Sequence, residues 1–272
     1  MSWCDENGFL GGRIDDWIRQ HRKTHQQVFD LAHELNREGH AFLDGRSVTI
    51  SDSHLLTSIV LFARLMELHQ AVLLSVDRSA RAPTRIMFRA FLEAFFHFAA
   101  IHKDPSYLDE YLDQFEHERK ALINRIRHTD DPALNDLRAP IDDALIAEIE
   151  TIGVRRIKVE DVARRADCHN IYVTAYVLLS RSVHSSAADL EAHLALDAEK
   201  QRIDGFRYGP TDAETRRTVC LAGMTMAEAL RDISKDFSED RTESCERLIT
   251  SFKSLLPQPS ESTSNNRFEP TP

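Results

Sequence analysis

Residues 85–97 read RIMFRAFLEAFFH, an apolar stretch in which a polar side chain recurs at every fourth position. These polar residues are Arg85, Arg89, Glu93 and His97. A four-residue step is close to one helical turn, so the pattern predicts an α-helix with a polar line on an apolar surface. Charged and imidazole groups in such surroundings are costly unless they have partners. We therefore expect this helix to meet a second polar surface or a ligand.

A second segment of the same character occupies residues 176–186, which read YVLLSRSVHSS. Its four-residue steps place Tyr176, Ser180 and His184 within about 80° around a helix, so all three could face the first segment. Ser180 could hydrogen-bond to His184, and Glu93 could fix the tautomer of the imidazole. The two segments together predict a polar centre where two helices meet.

Helix geometry decides which residues of the first segment belong to this centre. Each four-residue step turns about 400°, so successive positions drift by roughly 40° around the axis. Arg85 and His97 are then about 120° apart and cannot share one narrow face. Any three consecutive residues of the series can share a face, so Arg89 and Glu93 belong to that face in either case, and they have the spacing of an intrahelical ion pair. Phenylalanine and leucine surround this pair in the sequence, which predicts that it is buried and that breaking it would cost several kcal/mol.

The composition favours helices throughout the chain. Only 9 Gly and 9 Pro occur in 272 residues, and 42% of the residues are apolar. Few turn-forming residues and many strong helix formers are typical of helical proteins. We predict an all-α fold, a multi-helix bundle with long antiparallel helices, in one domain over residues 1–256. Residues 257–272 have too few apolar side chains to pack and are predicted to form a disordered tail.

Apolar periodicity and capping residues predict the individual helices. Asp52, with a serine on each side, can cap the helix that follows, and Pro83 suits the first turn of the next one. Residues Gln201–Pro210 are expected to form a loop. The predicted helices cover Ile14–Leu35, the region from Ser53 to Val76, Pro83–His102, Asp104–Ile123, Ile171–Leu196, Asp212–Phe237 and Glu239–Leu256.

Charge and hydropathy indicate which partners and which cellular location to expect. A net charge of −10 argues against broad nonspecific binding of nucleic acid, because phosphates would repel most of the surface. The N-terminus lacks the basic and apolar regions of a signal peptide. The most apolar stretch, Leu55–Val76, contains Arg64, Glu67, His69 and Gln70, which favours a core helix over a membrane span. We expect a cytoplasmic protein with reduced thiols and no membrane contact.

The residue types of the polar centre also occur in hydrolase active sites and in metal sites. A hydroxyl, an imidazole and a carboxylate form hydrolase triads, but no nucleophile-elbow glycine pattern surrounds Ser180. The pairs Glu93/His97 and His21/His25 have the spacing of two metal ligands on one helix, yet the full ligand set of a helical metal site is missing. We therefore predict no metal and no cofactor, and we favour a polar network over a catalytic site.

The alternative to a binding or interaction role is that the protein is a ribonuclease. The run RRADCH at residues 164–169 resembles the Arg–His spacing of small helical HEPN-type ribonucleases. In such a pair, Arg164 would stabilise phosphate charge and His169 would move a proton during attack by the ribose hydroxyl. This reading makes RNA the partner and requires no metal. The sequence leaves open whether the protein is an enzyme.

The two polar segments also resemble a bacterial family of helical proteins known as a domain of unknown function (DUF5677). The matching pieces are residues 85–94 and 176–186, within a region from about residue 55 to residue 190. The family pattern is an Arg, a Glu four residues later, and then a Tyr, a Ser and a His. The resemblance implies an all-α fold with shared polar positions and brings no activity with it. The residues that it selects are Arg89, Glu93, Tyr176, Ser180 and His184.

The last residues, NNRFEPTP at 265–272, resemble the tails of proteins encoded on integron cassettes. Such a tail would place the gene among mobile elements. Combined with the polar centre, it predicts a binding or interaction role in a mobile-element or phage-defence setting. The expected partner is a small molecule or a protein, and self-association into a homo-oligomer is left open.

Overall fold

Long helices make up most of the computed structural model, which describes residues 6–151, 156–183, 187–197, 199 and 202–257. The predicted all-α fold is confirmed, with one small hairpin added to it. The helices are α1 (Ile14–Thr24), α2 (Gln26–Leu43), α3 (Ser53–Asp77), α4 (Arg81–Lys103), α5 (Tyr107–His128), α6 (Asn135–Arg138), α7 (Asp143–Glu150), α8 (Val159–Arg165), α9 (His169–Ile171), α10 (Val177–Val183), α11 (Ala187–Leu190), α12 (Thr215–Asp236) and α13 (Thr242–Ser254). A π-helical turn, Tyr172–Tyr176, joins α9 to α10, and the strands are β1 (Leu194–Leu196) and β2 (Ile203–Phe206).

Helix α4 lies at the middle of the bundle. It packs along α3, which precedes it through a three-residue turn, and its other sides meet α8, α10 and α12. Helix α12 packs in turn against α2, α3 and α13. The turn between α3 and α4 requires a left-handed backbone at Ser79, whose φ is 53°. The side chain of Ser79 accepts a hydrogen bond from Trp17, which fastens α1 to this turn.

The phenylalanines of α4 explain why this helix is central. Phe91, Phe96 and Phe98 are fully buried, and burial of each aromatic side chain contributes a large apolar area. The predicted cap of α3 is present, since the Asp52 carboxylate accepts a hydrogen bond from the Leu55 amide. Helices α12 and α13 approach closely at Gly223, where an added Cβ would lie 2.4 Å from the ring of Phe252.

Helix α3 is apolar over much of its length. Among the helices in the described part of the chain, it is the one long and apolar enough to span a membrane by length and composition. Core helices pass the same test, and α3 buries Phe62, Leu65 and Val72 in the bundle against α4 and α12. The feature is weak evidence for a membrane.

Three predicted boundaries are wrong. The helix expected over Ile14–Leu35 breaks at His25, whose backbone angles are not helical (φ −112°, ψ 24°), and α2 then continues to Leu43. The helix expected over Ile171–Leu196 ends in strand β1 rather than continuing to Leu196. The loop expected over Gln201–Pro210 contains β2, which pairs antiparallel with β1. The predicted tail, residues 257–272, lies outside the described residues apart from Pro257.

Candidate functional site

Arg89 on α4 makes contacts to three other side chains that the sequence selected. Its Nε donates to Ser180 Oγ at 3.1 Å, and its Nη2 donates to the Tyr176 hydroxyl at 2.6 Å. Its Nη1 lies 3.2 Å from Glu93 Oε2 in the expected i,i+4 ion pair. The guanidinium carbon also sits 4.8 Å from the centre of the Tyr176 ring. We call Arg89, Glu93, Tyr176 and Ser180 the Arg89 centre.

The π-helical turn brings the second pair of side chains to Arg89. Tyr176 is the last residue of that turn, and its hydroxyl donates to Glu93 Oε2 at 2.8 Å. Ser180 donates to the Tyr176 carbonyl oxygen at 2.9 Å, so its lone pairs are free to accept from Arg89. A π turn inserts an extra residue into a helix and is often found at functional sites. Here it sets the orientation of the two hydroxyls that hold the guanidinium.

Tyr176 stays protonated in this setting. Burial raises the pKa of the Tyr176 hydroxyl, and the hydrogen bond to the negatively charged Glu93 raises it further. The phenol is therefore a hydrogen-bond donor at neutral pH. It orients Glu93 and Arg89 and does not supply a phenolate.

The prediction that the Arg89–Glu93 pair is buried is wrong. The Arg89 side chain is 24% exposed and the Glu93 side chain is 34% exposed. The phenylalanines beside them in the sequence point into the core from the other sides of α4, whereas the polar line faces the edge of α10. Solvent screening reduces the cost of breaking the pair to about 1 kcal/mol. The same exposure leaves the pair accessible to a ligand.

His184, the fifth predicted member, lies outside the described residues. Its expected hydrogen bonds to Ser180 and Glu93 stay predictions.

Arg85, one helical turn before Arg89 on α4, forms a second polar cluster. Its Nη1 donates to Ser182 Oγ at 3.0 Å and to Asp189 Oδ1 at 2.6 Å, and its Nε donates to Glu214 Oε2 at 3.1 Å. We call these four residues the Arg85 cluster. It connects α4, α10, α11 and the start of α12. Arg85 is one helical turn from Arg89, so both arginines of α4 contact α10, Arg85 at Ser182 and Arg89 at Ser180.

Asp189 remains charged in the Arg85 cluster although its side chain is only 8% exposed. Burial by itself would raise the pKa of Asp189, but the hydrogen bond from Ser182 and the charge of Arg85 lower it below its usual range. The carboxylate is thus stabilised by its neighbours. No local pattern in the sequence marks Ser182, Asp189 and Glu214 as partners of Arg85. The one available signal was Arg85 itself, a charged residue in an apolar helix that requires partners.

The histidine pairs considered as metal ligands have other contacts. His97 Nδ1 lies 2.7 Å from the Tyr107 hydroxyl, and burial lowers the pKa of His97. His21 lies near the hydroxyls of Ser79 and Thr215, and burial together with the charge of His25 lowers its pKa to about 4. Among the residues that the structure describes, no three His, Cys, Asp or Glu side chains group as metal ligands would.

Arg164 and His169, the pair predicted for a ribonuclease, both contact the carboxylate of Glu160. Arg164 Nη2 lies 2.7 Å and His169 Nε2 lies 3.2 Å from Glu160 Oε1. The hydrogen bonds from Arg164 and His169 lower the pKa of Glu160, which keeps it charged. The two residues are therefore close enough to contact one phosphate, but Glu160 now fills the position between them.

Comparison with known proteins gives one match. The model of a family described as a family of unknown function (DUF5677) matches residues 56–202, a region that contains the whole Arg89 centre and also Arg164 and His169. No curated protein and no solved structure matches the chain.

Proposed function

Since the chain belongs to the DUF5677 family, whose function is unknown, we propose its role from the geometry: it is a binding module that holds a small polar molecule at the Arg89 centre. The ligand carries a hydrogen-bond donor next to an acceptor, as in a carboxamide or the edge of a nucleobase. The observation that supports this is an oriented, accessible guanidinium–carboxylate pair, some of whose hydrogen-bonding groups have no partner among the described residues.

The unused groups follow from the contacts of each side chain. A guanidinium has five N–H donors, and the contacts to Ser180, Tyr176 and Glu93 engage three of them. Both contacts to Glu93 reach Oε2, so within the described residues Oε1 has no protein donor. The centre can therefore donate from Arg89 and accept at Glu93 towards the same ligand. Charge-assisted hydrogen bonds of this kind are about twice as strong as neutral ones.

Binding fits this geometry better than catalysis. Tyr176 is protonated, and the Ser180 proton is directed at a backbone carbonyl oxygen. Neither group is arranged to attack or to accept a proton. A simple anion is also a poor ligand, because the Glu93 carboxylate would repel it. A neutral ligand with both a donor and an acceptor avoids this repulsion.

The test is binding of two neutral probes, N-acetylglycinamide and cytidine, measured by ligand-observed saturation-transfer NMR. We expect both probes to bind with a Kd in the millimolar range, and the anions acetate and methyl phosphate to give no signal. Glu93→Gln and Arg89→Lys should each weaken binding about tenfold, a change of about 1.4 kcal/mol, because each alters one charge-assisted contact. Arg164→Lys alters another helical Arg–Glu pair and serves as the matched control. Absence of binding by both probes, or equal binding by Arg89→Lys, contradicts the proposal.

A metal-independent ribonuclease is the second candidate, because Arg164 and His169 converge on one point. It ranks second since Glu160 would repel the phosphate that this pair must hold. The test compares induced expression of wild type, His169→Ala and His184→Ala. A ribonuclease using His169 predicts growth arrest and RNA degradation that His169→Ala alone relieves. Equal growth and intact RNA in all three strains would remove this candidate.

The biological setting is proposed on sequence grounds alone. A mobile-element or phage-defence role rests on the integron-like residues at 265–272, which lie outside the described residues. A cytoplasmic location is proposed on the composition alone.

A further inference from the structure

Strand β1 has one edge that no strand of the described residues pairs with, in a hairpin whose side chains are largely exposed. In the register of β1 with β2, Leu194 lies opposite Phe206 and Leu196 lies opposite Ile203. Within the described chain this sheet has two strands, so one edge of each strand is open. An isolated two-stranded hairpin is at best marginally stable in water. The hairpin therefore gains stability from any further strand or surface that packs against it.

The backbone of β1 has its unused groups at residues 194 and 196. The His193 carbonyl oxygen accepts from the Arg207 amide, and the Asp197 amide donates to the Arg202 carbonyl oxygen. Because backbone groups alternate along a strand, residues 193, 195 and 197 face β2 and residues 194 and 196 face outward. The Leu194 amide is used by the carbonyl of Glu191. The Leu194 carbonyl and both backbone groups of Leu196 have no backbone partner within the described residues.

One face of the hairpin is apolar and exposed. Cross-strand partners share a face, so Leu194, Leu196, Ile203 and Phe206 all lie on the same side. Leu196 is 46% exposed, Ile203 is 51% exposed and Phe206 is 72% exposed. Tyr208, just beyond β2, is 75% exposed. Aromatic side chains present about 150–250 Å² each, so these residues form a patch of several hundred Å², a size that marks interaction surfaces.

We propose that β1 pairs with β1 of a second copy of this chain, antiparallel across a two-fold axis at Ala195. Leu194 then lies opposite Leu196 of the second copy, and the outward amide of each Leu196 donates to the outward carbonyl of the opposite Leu194. His193 lies opposite Asp197, so the polar ends of the strands are complementary. The result is a four-stranded sheet with a continuous apolar face.

The identity of the partner follows from this self-complementarity. A two-fold axis requires that one strand supply both halves of the contact, and the sequence His-Leu-Ala-Leu-Asp at residues 193–197 does so. Strand β2 does not: the register that pairs Ile203 with Phe206 would place Arg202 opposite Arg207, and like charges opposite each other are destabilising. The edge of β1 is thus the one suited to a second copy. This inference does not depend on the proposed ligand.

The first test is the molar mass of the full chain, measured by size-exclusion chromatography with light scattering at tens of micromolar. We expect twice the chain mass of 31.1 kDa. Leu196→Pro removes the outward amide together with one leucine of the apolar face, and proline is tolerated at strand edges, so this variant should keep its helical circular dichroism and become monomeric. Phe115→Lys, at a residue that is 69% exposed on α5, is the matched control and should stay dimeric. A monomeric wild type, or a dimer unchanged by Leu196→Pro, overturns the proposal.

The second readout of the same proposal tests the position of the axis. Residue 195 would face its own copy as a non-hydrogen-bonded pair with about 4.5 Å between Cα atoms, within reach of a disulfide. In a Cys4→Ser background, Ala195→Cys should form a disulfide-linked dimer under mild oxidation, reversed by reductant. Ala147→Cys, at an exposed position on α7, is the control and should not. Equal cross-linking of both variants, or of neither, overturns the proposed register.

Discussion

Arg85→Met is expected to lower the free energy of unfolding by about 3–5 kcal/mol, the range for breaking a buried ion pair by removing one partner. The guanidinium of Arg85 holds Asp189, whose side chain is only 8% exposed. Without Arg85, the Asp189 carboxylate keeps the hydrogen bond from Ser182 and the more distant charge of Arg81, and stays out of reach of most solvent. A carboxylate that has lost its ion-pair partner in such a place must either be solvated by local opening or be protonated. Both routes destabilise the contact between α4 and α11.

The measurement is urea unfolding of wild type and variants, followed by circular dichroism at 222 nm. Glu214→Gln is the matched control, because Glu214 contacts the same guanidinium but is 42% exposed, and its loss should cost less than about 1 kcal/mol. The double variant Arg85→Met/Asp189→Leu should recover most of the lost stability, since it leaves no lone charge. A small effect of Arg85→Met, or a double variant no better than the single one, would show that the cluster is not an electrostatic unit.

The two arginines of α4 therefore have different consequences when changed. Loss of Arg89 leaves Glu93 in contact with solvent, because the Glu93 side chain is 34% exposed. Loss of Arg85, in contrast, leaves the Asp189 carboxylate out of contact with most solvent, because its side chain is only 8% exposed. Variants of Arg89 thus remain suitable for binding measurements, whereas variants of Arg85 report on stability. Arg89 is therefore a better candidate for ligand recognition than Arg85, because three neighbouring side chains orient it and we expect its variants to stay folded.

The sequence was informative about the helices and about which polar residues meet. The four-residue steps in residues 85–97 depend only on helix geometry, and they selected Arg89 and Glu93 as the pair common to either set of three residues that can share a face. The structure brings those two together with Tyr176 and Ser180. Local periodicity could not reveal how exposed the pair is, because exposure depends on where the edge of α10 lies relative to α4. For that reason the predicted burial was wrong.

The parts that sequence analysis missed depend on contacts between distant segments. Asp189 and Glu214 reach Arg85 across more than a hundred residues, and no local pattern marks either of them. The hairpin was missed because Leu-Ala-Leu in β1 fits the end of a helix as well as it fits a strand. Its strand conformation comes from pairing with β2, in which Ile203 and Phe206 lie opposite leucines. The π turn before Tyr176 likewise leaves no signal in the pattern of apolar residues.

His69→Leu is expected to stabilise the protein at neutral pH and to remove part of its sensitivity to acid. His69 on α3 is fully buried, and neither ring nitrogen has a hydrogen-bond partner among the described residues. Burial, with a smaller contribution from the charge of His33, lowers the pKa of His69 to about 4. A buried polar group without a partner costs about 1–3 kcal/mol, so an apolar side chain of similar size should gain part of that amount at pH 7.5.

The acid response follows from the difference between the folded and unfolded states. In the unfolded chain a histidine binds its proton near pH 6.5, whereas folded His69 stays neutral until about pH 4. As pH falls through this window the unfolded state alone gains the proton, so stability is lost, by about 2 kcal/mol between pH 7.5 and pH 5 for one such group. The His69→Leu variant should lose about 2 kcal/mol less than wild type over this interval, measured by urea unfolding at both pH values.

His21, whose pKa is also lowered to about 4, keeps its own share of the acid response in the variant. His40→Leu, at the exposed end of α2, is the control and should lose as much stability as wild type. An identical loss in His69→Leu and wild type would show that the buried ring takes up its proton in the folded state, through a partner or an opening at the α3–α4 contact.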